Sequence, residues 1–111
     1  MTKGYTTIEQ SKKLIELGID VNTADLWWNY DDTEYPSVDY NIGFHKKHKE
    51  DIPAWSLSAL LGLMEQWTLN GFANGKFNCR DGRVDKYALV DTCPLDAAFE
   101  MTCWLKENGK I

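Results

Sequence analysis

The chain is poor in the residues on which most small catalytic and metal sites depend. It has two histidines, His45 and His48, and three cysteines with no C-x-x-C pair among them. Without those two imidazoles there is no histidine-based acid–base or triad chemistry. No apolar run approaches the roughly 18 residues that a membrane-spanning helix needs, so no membrane partner is expected. The opening residues MTKGYTTIEQSKK hold no apolar core of a secretory signal, so a cytoplasmic location is expected, with the cysteines as free thiols. Gly71, Gly75 and Gly82 do not form G-x-G-x-x-G, and strands rather than a helix should follow them, so no phosphate cradle is expected. There is no internal repeat and no low-complexity tract.

What is present suits one globular domain over residues 1–111. Hydrophobic content of 43% and charged content of 26% are ordinary for such a domain. Aromatics reach 13%, with five tryptophans, which implies a ring-rich core or an aromatic contact surface. The net charge of −5 repels a phosphate backbone at long range and argues against a nucleic-acid partner. The one dense basic stretch is HKKHK at 45–49, followed at once by Glu50 and Asp51.

Three helices are predicted. The first spans about 7–17, with Thr6 and Glu9 as a capping box, or Thr7 and Gln10 in the alternative register. Ile8, Leu14, Ile15 and Leu17 give its apolar side, and Gly18 ends it. The second starts at Ser56 as N-cap, with Trp55 and Leu60 at the spacing of a hydrophobic staple and a stripe of Leu57, Leu60, Leu61 and Met64. The third is CPLDAAFEMTCWLKENG, residues 93–109, with Pro94 at its first position, Cys93 or Thr92 as cap and Gly109 at its end. Its apolar residues Leu95, Ala97, Ala98, Phe99, Met101, Trp104 and Leu105 cover more than half the circumference, so it should be the central packing element. The stripe of Asp96, Glu100, Cys103 and Glu107 is expected to face solvent or a partner.

Between helices two and three, Asn74-Gly75 and Asp81-Gly82 are preferred type I′ dipeptides. They imply a meander with strands near 67–73, 76–80 and 83–90. The stretch ADLWWNY at 24–30 reads as a further strand, or as a helical turn capped by Asn22. Residues 31–51 lack periodicity and form a long variable loop, or conceal a short strand near 38–44. The expected class is α+β: three helices on a small, mainly antiparallel sheet of three to four strands, helix first and helix last.

Cys93, at a helix N-terminus, is the thiol best placed for a lowered pKa. No histidine lies near it in sequence. Cys103 has acidic neighbours, which raise a thiol pKa. At 1.5 Å per residue the two would lie ~15 Å apart, beyond disulfide reach. His45 and His48, as H-x-x-H, could share a metal only on a helix, and Cys79 is the nearest thiol. No catalytic, cofactor-binding or metal residue is assigned, and no cofactor is expected. A thiol or metal protein using Cys93 or His45 and His48 is the catalytic alternative. Trp27, Trp28, Tyr30, Tyr35 and Tyr40 are the candidate interaction surface. If 24–30 is a strand, Trp27 and Trp28 point to opposite faces.

Three blocks, YTTIEQSKKLIELGIDVNTADLWW, IPAWSLSALLGLM and PLDAAFEMTCWLKENGKI, occur in that order and cover about half the chain. Together they resemble a widespread group of small proteins, without an assigned activity, carried by prophages and other mobile elements of Bacteroides-type gut bacteria. The resemblance implies a mobile-element accessory protein and transfers no functional residue; the aromatic excess, the lack of a convergent polar constellation and the variable loop favour one that acts by binding a protein partner. An acidic nucleic-acid mimic that occupies a host enzyme is a further alternative.

Overall fold

A computed structural model of the chain describes residues 4–31 and 39–111. The elements run α1 (Ile8–Leu17), β1 (Leu26–Asp31), β2 (Asp39–Gly43), β3 (Ile52–Ala54), α2 (Leu57–Leu61), β4 (Thr68–Gly71), β5 (Phe77–Arg80), β6 (Tyr87–Val90) and α3 (Pro94–Glu107). The α+β class holds, helix first and helix last. The strands divide into two antiparallel sheets of three, ordered β2-β1-β3 and β4-β5-β6.

The cap of α1 takes the Thr7 register. Thr7 Oγ1 accepts the Gln10 N–H at 3.1 Å, and Gln10 Oε1 accepts the Thr7 N–H at 3.0 Å. Thr6, the other candidate, is fully buried. Its backbone N–H donates to the Trp55 carbonyl at 2.9 Å, and its hydroxyl accepts the Trp55 N–H at 3.0 Å. That hydroxyl also meets Ser11 Oγ at 2.8 Å, while the Thr6 carbonyl accepts the Trp28 indole N–H at 3.0 Å. Thr6 therefore ties α1 to β1 and to the entry of α2, which is why it is not available as a cap. Leu14 supplies the fully buried apolar contact of α1, whereas Ile15 is exposed.

Ser56 caps α2, its hydroxyl accepting the Ala59 N–H at 3.1 Å. Trp55 and Leu60, the two staple residues, are both fully buried. In α3, Pro94 occupies the first turn, and Cys93 sits at the cap position without a side-chain bond. Leu95, Met101 and Leu105 are fully buried, each contributing about 1.5–3 kcal/mol by area. Helix α3 packs on β4, β5 and β6 and also touches α1 and α2.

The stripe of α3 expected to face solvent or a partner is partly covered from within the chain. Helix α1 lies beside it, with Gln10 Nε2 donating to Asp96 Oδ1 at 2.8 Å, and Cys103 is buried. A helical wheel drawn on one segment does not show that a second helix docks there.

The strand reading of 24–30 is right, and a short 3₁₀ turn at 21–23 precedes β1, capped by Asp20 rather than Asn22. The suspected strand near 38–44 is β2. Neither glycine dipeptide makes a type I′ turn, which needs positive φ at both central residues. Gln66, with φ 49°, is the one described non-glycine residue at positive φ. At the first turn the Gly75 N–H reaches the Phe72 carbonyl and Gly75 alone is left-handed, with φ 83°. This is the three-residue loop with a bulge glycine. At the second, the Asp81 carboxylate orders the chain instead.

Candidate binding surfaces

The hairpin geometry decides which backbone groups of the second sheet are used. The Phe72 N–H donates to the Lys76 carbonyl at 2.8 Å, so these residues form a hydrogen-bonded pair. In an antiparallel ladder such pairs alternate with non-bonded ones. Asn70–Asn78 and Thr68–Arg80 are then the next bonded pairs between β4 and β5. Phe77 and Cys79 consequently turn their backbone groups toward β6, where Val90 and Ala88 lie opposite. Tyr87 and Leu89 are left with their N–H and C=O groups directed out of the sheet edge, where no further strand pairs among the described residues.

The side chains of Tyr87 and Leu89 are half exposed, at 51% and 49%. Between β6 and α3 runs a cleft of about 360 Å³, whose lining includes Lys86, Tyr87, Leu89, Glu100, Met101 and Trp104. Lys86 and Trp104 also line a second cleft of about 450 Å³, together with Arg83, Asp85 and Lys110. The two form one trough along the strand.

Asp81 holds the connection into this region. It is fully buried and accepts the Glu65 N–H at 3.1 Å and the Arg83 N–H at 2.8 Å. The Arg83 guanidinium adds Nε at 2.9 Å and Nη2 at 2.6 Å. The guanidinium contact is the largest influence and, with the backbone donors, outweighs burial; the carboxyl pKa drops to about 2.

In the first sheet, the sequence-derived aromatic residues separate. Trp28 meets Tyr5 edge to face at 5.4 Å, and Tyr30 meets Tyr40 at 5.7 Å. Trp27 is on the opposite face, with Lys46 Nζ 5.7 Å from its ring centroid. All four are half-buried. Tyr35 lies outside the described residues.

His45 and His48 sit on a loop, not a helix. Among the described residues no group of three or more histidine, cysteine, aspartate or glutamate side chains is arranged to hold a metal ion. The loop is pinned from inside by Asp51. Its carboxylate accepts the backbone N–H groups of Lys47 (2.6 Å), His48 (3.0 Å) and Tyr30 (2.7 Å). Asn29 Nδ2 donates to the same carboxylate at 2.8 Å and to the His45 carbonyl at 2.9 Å. Burial alone would raise the Asp51 pKa, but these donors hold it well below the usual carboxylate range. Gly43 is required here by close approach, since a Cβ at that position would collide with the Asn29 amide.

All three cysteines are buried free thiols. Burial, reinforced by Asp81, pushes Cys79 up to about 11; burial, with Glu100 and Glu107, pushes Cys103 up to about 12. Cys93 is 3% exposed, so a substrate could not reach its sulfur without local opening.

The residues that sequence reasoning missed are Tyr87 and Leu89. The signal was available in KYALV, where apolar residues occupy both faces of a strand instead of one. No protein-family model matches the chain, and neither a curated protein nor a solved structure is significantly similar to it.

Proposed function

We propose that this chain is a non-catalytic binding protein, of the accessory kind that mobile elements carry, and that it takes an extended segment of a protein partner as a fourth strand beside β6. The observation that carries this reading is the outward pair of backbone groups at Tyr87 and Leu89, set beside a trough floored by Met101 and Trp104. Strand addition uses this combination: main-chain bonds supply affinity, and an adjacent cleft selects alternate side chains. The trough asks for an apolar side chain over Met101 and Trp104. Lys86 and Lys110 favour an acidic residue toward the Arg83 end. A second copy fits less well. The antiparallel register that sets Tyr87 against Leu89 in both directions also sets Asp85 opposite Asp91, and facing like charges destabilise a ladder.

Leu89→Pro and Ala88→Pro test this together. A proline is tolerated on an edge strand where its nitrogen faces outward. Leu89→Pro should stay folded and lose at least tenfold in affinity for extended peptides selected by display against the native protein. Ala88→Pro removes a ladder bond to Cys79 and should cost about 3 kcal/mol of stability. Selected peptides that bind Leu89→Pro as tightly as the native protein would overturn the reading, as would a selection that yields no binder. A concentration-dependent dimer abolished by Leu89→Pro would make a second copy the occupant and refute the foreign strand.

A further inference from the structure

The basic stretch 45–49 is not used by the β6 reading. It stands on the other sheet, and its side chains are exposed throughout. Its backbone is nevertheless held at His45, Lys47 and His48 by Asn29 and Asp51. The buried Asp51 carboxylate fixes the inner side of the loop by accepting two of its backbone N–H groups. Phe44, the three lysines and the two histidines are exposed on this fixed frame, with Lys46 leaning over the Trp27 ring.

Phe44 is the most exposed large apolar residue among the described residues, at 78%. As a hydrophobic anchor it would need an apolar floor, and its neighbours at 45–50 are all charged or imidazole. Beside the loop lies a cleft of about 330 Å³ whose lining includes Asn29, Tyr30, Asn41, Gly43, Lys47 and His48. That lining combines the Asn41 amide, the Tyr30 ring, the His48 imidazole and the Lys47 side chain with the apolar Ile42, a mixture suited to a planar heterocycle, and its size falls within the range of small-ligand sites.

We propose that Phe44, Lys46, Lys47 and Lys49, with the adjoining cleft that Lys47 and His48 line, form a second binding site whose ligand is single-stranded nucleic acid. An exposed ring stacks on any unpaired base, the lysines track the phosphates, and the polar cleft receives a neighbouring base. This departs from the expectation set by the net charge of −5. Charges farther than about 8 Å are screened at physiological salt, while the loop lysines would touch the ligand. Glu50 is the acidic neighbour that opposes them most directly in sequence. An acidic peptide would satisfy the lysines and leave both Phe44 and the polar cleft without a role.

Fluorescence anisotropy with labelled oligo-dT and oligo-rU of about fifteen nucleotides tests the proposal. Three phosphate contacts predict a salt slope of about −2 for single strands, or about 20-fold weaker binding between ~50 and ~200 mM salt. Phe44→Ala should weaken binding about tenfold. The combined variant Lys46→Gln, Lys47→Gln and Lys49→Gln should flatten the salt dependence and lower the melting temperature only by the few degrees that loss of the exposed Lys46–Trp27 contact allows. No binding at ~50 mM salt, a slope unchanged in the triple variant, duplex bound as tightly as single strand, or polyglutamate competing as well as the oligonucleotide would each overturn it. The last result would identify an acidic peptide as the ligand.

Discussion

Replacing Asp81 by asparagine removes the charge from a fully buried side chain that gathers four donor contacts. The magnitude follows from linkage. The carboxyl falls from 3.8 to about 2 in the folded protein, and each unit is worth 1.36 kcal/mol, so the ionised group contributes about 2 kcal/mol at neutral pH. The Arg83 side chain is 34% exposed, and solvent screens part of that contact. The expected loss is therefore about 1–2 kcal/mol. With an unfolding entropy near 2.1 cal/mol/K per residue over 111 residues, this corresponds to a fall in Tm of about 4–9 °C. The sign with pH is definite. A depressed folded pKa stabilises above the unfolded value of 3.8 and loses that stabilisation as pH falls through about 2. The gap between native protein and Asp81→Asn should be full at pH 6 and shrink steadily from about pH 4 downward. Asp51 is common to both proteins and cancels in the difference. Thermal melts followed by circular dichroism at a series of pH values measure it. A gap under about 2 °C at pH 6, or one that stays constant down to pH 2, would refute the assignment of Asp81 as a charge-stabilised anchor.

Three further outcomes are expected. Gly43→Ala drives the Asn29 amide away from Asp51 and His45, so it should lower stability by about 2 kcal/mol and speed amide exchange at Lys47 and His48. With three buried thiols, a colorimetric thiol reagent at pH 7 should find no fast-reacting equivalent in the native protein and all three after denaturation; a single fast equivalent assigned to Cys93 would restore the nucleophile reading. Thr6→Val preserves volume but leaves the Trp55 N–H unsatisfied in the core, at a cost of about 1–3 kcal/mol measured by denaturant titration.

The helices were legible because their signals are local. Ser56 with Trp55 and Leu60 marks the start of α2, and Pro94 and Gly109 bracket α3, within a few residues of the positions they govern. The second sheet was legible from its glycine dipeptides, although the turn types were not, because φ at Asn74 and Asp81 depends on the strands being joined. The first sheet was harder to see. Its edge strand β2 carries Asn41 and Gly43, and β3 is only Ile-Pro-Ala, so neither shows alternation. Asp51 and Asp81 carry no local mark in a chain with 17 acidic residues. Their role appears only when backbone donors from separate segments converge on them. The same holds for Thr6, whose partners at Ser11, Trp28 and Trp55 span 49 positions. Of the aromatic residues taken from the sequence as a contact surface, Trp27 and Trp28 divide between faces because consecutive strand residues must.

The case for β6 over the other open edges rests on how each edge is blunted. Natural sheets protect exposed edges with short strands, prolines and residues that pair poorly. Strand β3 is three residues long and contains Pro53, which has no N–H to offer. Strand β2 ends in Gly43, over which the Asn29 side chain lies. Strand β4 exposes Thr68, Asn70 and Gly71 and runs straight into a tight turn. Strand β6 is as short as β4, but it carries no proline and no glycine over Tyr87–Val90. It presents a tyrosine and a leucine, two strong contact formers, at the two positions whose backbone groups point outward. An edge left unprotected in this way invites aggregation unless something specific occupies it. On the proposed strand-addition reading, the charges of Lys86 and Glu100 at the trough would filter what pairs there. Substituting Leu89 by lysine would supply the missing protection, and the native stability should survive it, because this side chain is already half exposed.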